Sequence, residues 1–184
     1  MEAILVKDQK AAAFVMEDGT FEGVYRITEK VCGDVEQVTG VRPKIIKWQG
    51  ALQPAQVYVA TLGNSEMSEA IAEEEGIELS SLCGKRECFL FQVLKNGSLL
   101  IAGSDKRGTI YGLFHISELM GVSPFVHFAD VVPAPQKEII FSEKDSIQNF
   151  WAYLRLSTGV VSGRLTVSMW DFVHRWRVWR ESRL

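Results

Sequence analysis

An α/β fold, with a mixed β-sheet and helices packed against it, is predicted by three observations. Short apolar runs alternate with segments whose apolar residues recur at steps of three and four, those segments stop at glycines, and Asn96-Gly97 marks a hairpin between two apolar runs. At 184 residues the chain has the length of one domain, enough to bury roughly 70% of its unfolded surface.

The pattern begins with a predicted strand at Ala11 to Val15, closed by the turn residues Glu17-Asp18-Gly19. Val24, Ile27, Val31, Val35 and Val38 then fall on one face of a helix that Gly40 stops, and a sheet must cover that face. Lys44 to Trp48 and Val57 to Leu62 read as strands, separated by a segment holding Gly50 and Pro54. Asn64-Ser65 supplies the cap of a short helix through Met67 and Ile71 that ends at Gly76, and its Glu73-Glu74-Glu75 run is a solvated face. Cys88 to Leu94 and Leu99 to Ala102 flank Asn96-Gly97, which predicts antiparallel strands joined by a type I′ turn. Ser104 or Asp105 then caps a helix carrying Ile110, Leu113, Phe114 and Met120 and closing at Gly121. The order βαβ, β, hairpin, α gives a mixed sheet.

Composition narrows the function classes. A net charge of -3 gives no basic footprint for nucleic acid. No apolar run has the 18 or so residues of a membrane span. The start Met1-Glu2-Ala3-Ile4-Leu5-Val6-Lys7 lacks the basic opening and apolar stretch of a secretory signal, so a cytoplasmic location is expected if Met1 is the true start. Cys32, Cys83 and Cys88 are too few and too poorly spaced for a structural zinc site, and reduced thiols are expected; no metal or cofactor is implied.

The end of the chain differs from the rest. Residues 149 to 184 hold four of the five tryptophans and six arginines but no lysine, whereas the preceding residues hold ten lysines and four arginines. The division expected is residues 1–147 as an α/β domain and 148–184 as an anomalous Trp/Arg-rich tail. Truncation, a reading-frame disruption near residue 148, or a real appended segment would each account for it. The abrupt shift to Trp and Arg favours disruption; the third possibility rests on Phe172, Trp176 and Trp179, which recur at helical spacing beside Arg175 and Arg180.

Two places invite chemistry. The segment Gly103-Ser104-Asp105-Lys106-Arg107-Gly108-Thr109-Ile110-Tyr111-Gly112 lies at a strand-to-helix junction, where backbone N–H groups with Ser104, Asp105, Lys106 and Arg107 could hold a small anion. The plainer alternative is that Ser104 or Asp105 caps the helix, Gly108 and Gly112 allow close packing, and Lys106 and Arg107 are solvated. The spacing fits neither a Walker loop nor the dinucleotide fingerprint. Glu118, near the C-terminal end of the same helix, sits at the unfavourable end of the helix dipole unless something pairs with it. His115 and His127 lie in no metal or nucleophile motif and read as structural. No pair of carboxylates can be assigned as catalytic acid and base.

The run Ile101-Ala102-Gly103-Ser104-Asp105-Lys106-Arg107-Gly108-Thr109-Ile110-Tyr111-Gly112-Leu113, followed by Ser117-Glu118-Leu119-Met120-Gly121-Val122-Ser123-Pro124, resembles the N-terminal domain of glycoside hydrolase family 115. Ala60-Thr61-Leu62-Gly63-Asn64 is similar to that family's strand before its second helix. Phe125-Val126-His127-Phe128 before Ala129-Asp130-Val131 is a reduced form of the family's aromatic cluster. The resemblance covers about residues 11 to 145. It implies an N-terminal-domain fold like that of β-hexosaminidases and α-glucuronidases, and an inverting enzyme that removes glucuronic or 4-O-methylglucuronic acid from xylan side chains. It also implies that Glu118 approaches the substrate, that glucuronoxylan or aldouronic oligosaccharides are the partners, and that the catalytic acids belong to a barrel. The Tyr-Arg-Gly and Asn-Asp-Glu segments that open that barrel do not occur after Gln148.

Three functions compete: the N-terminal accessory domain of such a hydrolase, catalytically inactive by itself; a stand-alone small-anion or carbohydrate-binding module; and an interaction unit resting on residues 170 to 183.

Overall fold

The computed structural model describes residues 1–123 and 132–151, the last four by backbone alone. Nine strands and three α-helices succeed one another among these residues, besides two single-turn 3-10 helices: β1 (Glu2–Lys7), β2 (Lys10–Ala11), β3 (Phe14–Met16), α1 (Glu22–Thr39), β4 (Ile45–Lys47), β5 (Val57–Thr61), α2 (Glu66–Glu75), β6 (Cys88–Val93), β7 (Leu99–Gly103), α3 (Lys106–Leu119), β8 (Ile139–Ser142) and β9 (Ile147–Trp151).

The main sheet has the order β4-β3-β5-β7-β6-β9. Its first four strands are parallel, while β6 runs antiparallel to both β7 and β9, so the sheet is mixed. Period-two alternation sends β5 and β7 to two cores. Val57, Val59, Leu99 and Ile101 join Val24, Val31 and Val35 of α1 and Leu113 and Ile116 of α3 on one face. Tyr58, Ala60, Leu100 and Ala102 meet Met67 and Ile71 of α2 on the other. Both faces are covered, and every residue of β5 and β7 is buried, as expected of central strands in such a sheet.

The helix stops follow from local chemistry. Gly40 and Gly76 take φ of 76° and 70°, a region glycine enters without a Cβ penalty, and the Ser65 hydroxyl accepts the amide of Ser68 to start α2.

Three sequence expectations are corrected. The run Ala11 to Val15 is not one strand. Lys10–Ala11 belongs to a separate three-stranded sheet, β2-β1-β8, and only Phe14–Met16 enters the main one. The unforeseen strand β1 turns into β2 through Asp8 and Gln9, at φ of 49° and 60°. The hairpin at Asn96-Gly97 is not type I′, because only Gly97 has positive φ. Its amide donates to the Leu94 carbonyl, making a turn followed by a left-handed glycine.

β9 pairs Phe150 with Phe89 and Trp151 with Cys88, so the sheet runs across residue 148. The remaining expectations for the tail, and those for Pro124 to Val131, including His127, lie outside the described residues.

Candidate functional site

The junction between β7 and α3 is built from hydrogen bonds inside the chain. Ser104 donates its amide to the Cys88 carbonyl at 2.9 Å and accepts the Cys88 amide on its hydroxyl at 3.0 Å, prolonging the ladder between β6 and β7. Asp105, in extended backbone, is the helix cap: one carboxylate oxygen accepts the Gly108 amide at 2.8 Å and the other accepts the Glu87 amide at 3.0 Å. Glu87 has φ of 58°, a costly region for a residue with a Cβ. Two contacts hold it there, since its carboxylate also takes the Arg107 guanidinium at 2.6 Å. That carboxylate pushes Arg107 above its ordinary value. Lys106 is exposed.

Thus the structure brings Ser104, Asp105, Lys106 and Arg107 together, with the chain's own groups already bonded to the first, second and fourth. The carboxylate of Asp105 stands where an external anion would meet the helix N-terminus. Gly108 presses on Cys88, and a Cβ there would lie under 3.0 Å from the Cys88 carbonyl oxygen. At Gly112 a Cβ would come within 2.6 Å of the Ile101 side chain.

From that junction α3 runs back along the sheet, passing Cys88, then Ile101 and Phe89, and finally Phe91. At its far end Nδ1 of His115 lies 3.2 Å from a carboxylate oxygen of Glu118. The imidazole is 5% exposed and the glutamate side chain 41%. Phe91 meets the ring edge-on at a centroid distance of 5.2 Å, Phe89 is tilted at 5.8 Å, and Nε2 is buried with no hydrogen-bond partner among the described residues. The helix closes where Gly121, at φ of 76°, donates to the Glu118 carbonyl and Val122 donates to that of Ser117. Gln136 ties the returning chain to both helices, its amide on the Val38 carbonyl and its side chain on that of Met120. Beneath Glu118, Ser117 donates to the buried Asp34 of α1 at 2.7 Å, and Lys30 lies 3.6 Å from the same carboxylate.

The two sets of candidate residues occupy opposite ends of one helix. Arg107 and Glu118 are eleven residues apart in α3, or roughly 16 Å along its axis. One small ligand cannot touch both.

Sequence reasoning did not connect His115 with Glu118, although the i, i+3 spacing allowed it. It also missed Glu87, whose αL backbone carries no sequence signal. Among the described residues no group of three His, Cys, Asp or Glu could hold a metal ion. Cys32 and Cys88 are buried, Cys83 is exposed, and all three are free thiols.

Fold and site together define an α/β domain whose exposed acid, Glu118, is backed by a buried histidine. No family model matches the sequence, and no curated protein matches it. Among solved structures the chain is similar to a family GH115 4-O-methyl-α-glucuronidase, BtGH115A, with specificity for decorated arabinogalactans. The identity is 28% and the TM-score 0.64, over 80% of this chain and 18% of that one. The chain therefore has the fold of one domain of a glycoside hydrolase and spans under a fifth of that enzyme's length. CpGH84D matches at 11% identity and a TM-score of 0.47, over 77% of this chain and 21% of that one.

Proposed function

We propose that this chain is the N-terminal accessory domain of a glycoside hydrolase resembling the family 115 α-glucuronidases, and that Glu118 lends its carboxylate to a uronic acid pocket completed by a catalytic barrel. The observation that carries the reading is the match to a 4-O-methyl-α-glucuronidase over 80% of the chain. Its position at the end of α3 supports Glu118: the side chain is 41% exposed and lies just before the segment that resembles the family's aromatic cluster. Substrates of the intact enzyme are glycans bearing glucuronic or 4-O-methylglucuronic acid, such as glucuronoxylan and aldouronic oligosaccharides. BtGH115A is specific for decorated arabinogalactans, so a different glycan backbone can carry the same uronic acid.

Hydrolysis with inversion needs two carboxyl groups roughly 6.5 to 9.5 Å apart around a water. On this reading the barrel supplies them, and the 184-residue chain releases no glucuronic acid from aldouronic oligosaccharides. In a barrel-bearing version, Glu118→Gln lowers kcat/KM about ten- to hundredfold, the equivalent of one charge-assisted hydrogen bond of roughly 1.5 to 3 kcal/mol, and leaves the melting temperature nearly unchanged. Unchanged kinetics in that variant would remove Glu118 from the pocket.

A stand-alone anion-binding module built on Ser104 to Arg107 is the second reading. The internal pairing of Asp105 and Arg107 disfavours it.

A further inference from the structure

We infer that Asn96 is a site of spontaneous deamidation, held in check by the closed turn between β6 and β7 and released when that turn opens. Asn96 precedes Gly97, whose missing side chain leaves its amide nitrogen unhindered beside the carboxamide. The chemistry needs only water. Hydroxide removes the Gly97 amide proton, and the nitrogen attacks Cγ of Asn96. The new C–N bond closes a five-membered succinimide ring, the bond from Cγ to Nδ2 breaks, and Nδ2 takes a proton from water and leaves as ammonia. Water then opens the ring. Attack at the side-chain carbonyl gives aspartate, and attack at the main-chain carbonyl gives isoaspartate, whose main chain runs through Cβ. In all, one water is consumed and one ammonia is released.

In the closed turn both reacting groups are engaged elsewhere. The Gly97 amide donates to the Leu94 carbonyl at 3.1 Å, which withholds its proton from hydroxide. Oδ1 of Asn96 accepts the Ser98 amide at 2.9 Å, which pins the carboxamide. The flanks are tied down as well. Lys95 donates its amide to a Glu75 carboxylate oxygen at 3.0 Å and its ammonium to the Glu75 carbonyl at 2.9 Å. Ser98 is buried, its hydroxyl donating to the Gln53 carbonyl at 2.9 Å and accepting the Gln56 amide at 3.2 Å. Asn96 and Gly97 themselves are only half-buried, so hydroxide reaches them once the bond to Leu94 breaks.

Reaction makes the opening permanent. Isoaspartate inserts one more main-chain atom between anchored neighbours, and the Leu94 amide loses its alignment with the Ser98 carbonyl, which it meets at 2.8 Å in the closed turn.

The test incubates the 184-residue chain at pH 8, folded and in concentrated urea, and follows loss of ammonia from Asn96 by peptide mass mapping. Deamidation at least about tenfold slower in the folded chain is expected, the ratio for a turn open no more than a tenth of the time. Equal rates overturn the proposal, and so does an Asn96 that survives in urea. Glu75→Ala removes the carboxylate that holds the Lys95 amide. It should speed deamidation of the folded chain about two- to tenfold, the worth of one hydrogen bond. Hydrogen exchange of the Gly97 amide should rise by the same factor, because both reactions begin with loss of that proton. Deamidation that fails to follow Gly97 exchange in the variant overturns the proposal even if the variant is globally less stable.

Discussion

The α-carbon of Gly108 faces the carbonyl oxygen of Cys88 at a separation that leaves no room for a Cβ, so the first turn of α3 rests directly on the backbone of β6. The same carbonyl accepts the Ser104 amide, which stops it from swinging aside. Gly108→Ala should therefore destabilise the chain by about 3 kcal/mol, the upper range for overpacking. The midpoint of urea unfolding at unchanged slope measures it. Gly121→Ala is a useful contrast: nothing lies within 4 Å of its Cβ, but φ is 76°, and a cost of about 1 kcal/mol from backbone strain alone is expected. A Gly108→Ala midpoint within about 0.5 kcal/mol of the parent would show that helix and strand can part freely.

Asp105 gives the second prediction, because its carboxylate serves two amides at once. Asp105→Ala removes the helix cap and frees the Glu87 amide, with an expected cost of about 2 kcal/mol. It also leaves the N-terminus of α3 facing Lys106 without its internal negative charge. Inorganic phosphate should then raise the melting temperature of the variant more than that of the parent. A parent stabilised by phosphate as strongly as the variant would favour the anion-binding module.

These two residues mark what the sequence could and could not reveal. Local signals were readable wherever a residue type forces one backbone state. Gly40 and Gly76 ended helices, and Ser65 capped α2. Asp105 and Ser104 were equally good caps by type; the choice fell to Asp105 because Ser104 is taken up by Cys88 in the ladder. The hairpin of β1 and β2 escaped notice because its left-handed residues are Asp8 and Gln9, with no glycine to announce them. Glu118 was singled out by its place in a motif, but its partner was not. Every helix offers an i, i+3 neighbour, and only the packing of β6 decides that His115 is buried and held.

Thiol reactivity separates the three cysteines. Cys83 is exposed, while burial pushes Cys88 up from the ordinary thiol range and pushes Cys32 to about 11. A thiol-specific reagent at pH 8 should modify Cys83 at once and the other two only as the fold opens. For Cys32 the folded state favours the neutral thiol, so its contribution is complete below pH 9 and is lost as pH rises through 11. The loss is on the order of 2 kcal/mol. Cys32→Ala should flatten the stability curve between those pH values, and an equal decline in parent and variant would assign it to other groups.

The last prediction concerns the bond that joins α1 to α3 beneath Glu118. Ser117 and Asp34 are 83 residues apart in sequence, yet the serine hydroxyl donates to the carboxylate at 2.7 Å in a buried setting. Lys30, four residues before Asp34, approaches the other oxygen at 3.6 Å and retains some solvent contact. Ser117→Ala would leave a buried carboxylate with the weaker of its two partners, at a cost of about 2 kcal/mol. Asp34→Ala would strand the serine hydroxyl, at a similar cost. Once either partner is gone, removing the other has little left to break. The double variant should thus be about 1 to 2 kcal/mol more stable than the sum of the single changes requires. Strict additivity in the cycle would mean that the two helices are held by their apolar faces alone, with the hydrogen bond merely accommodating a carboxylate that the packing had already enclosed.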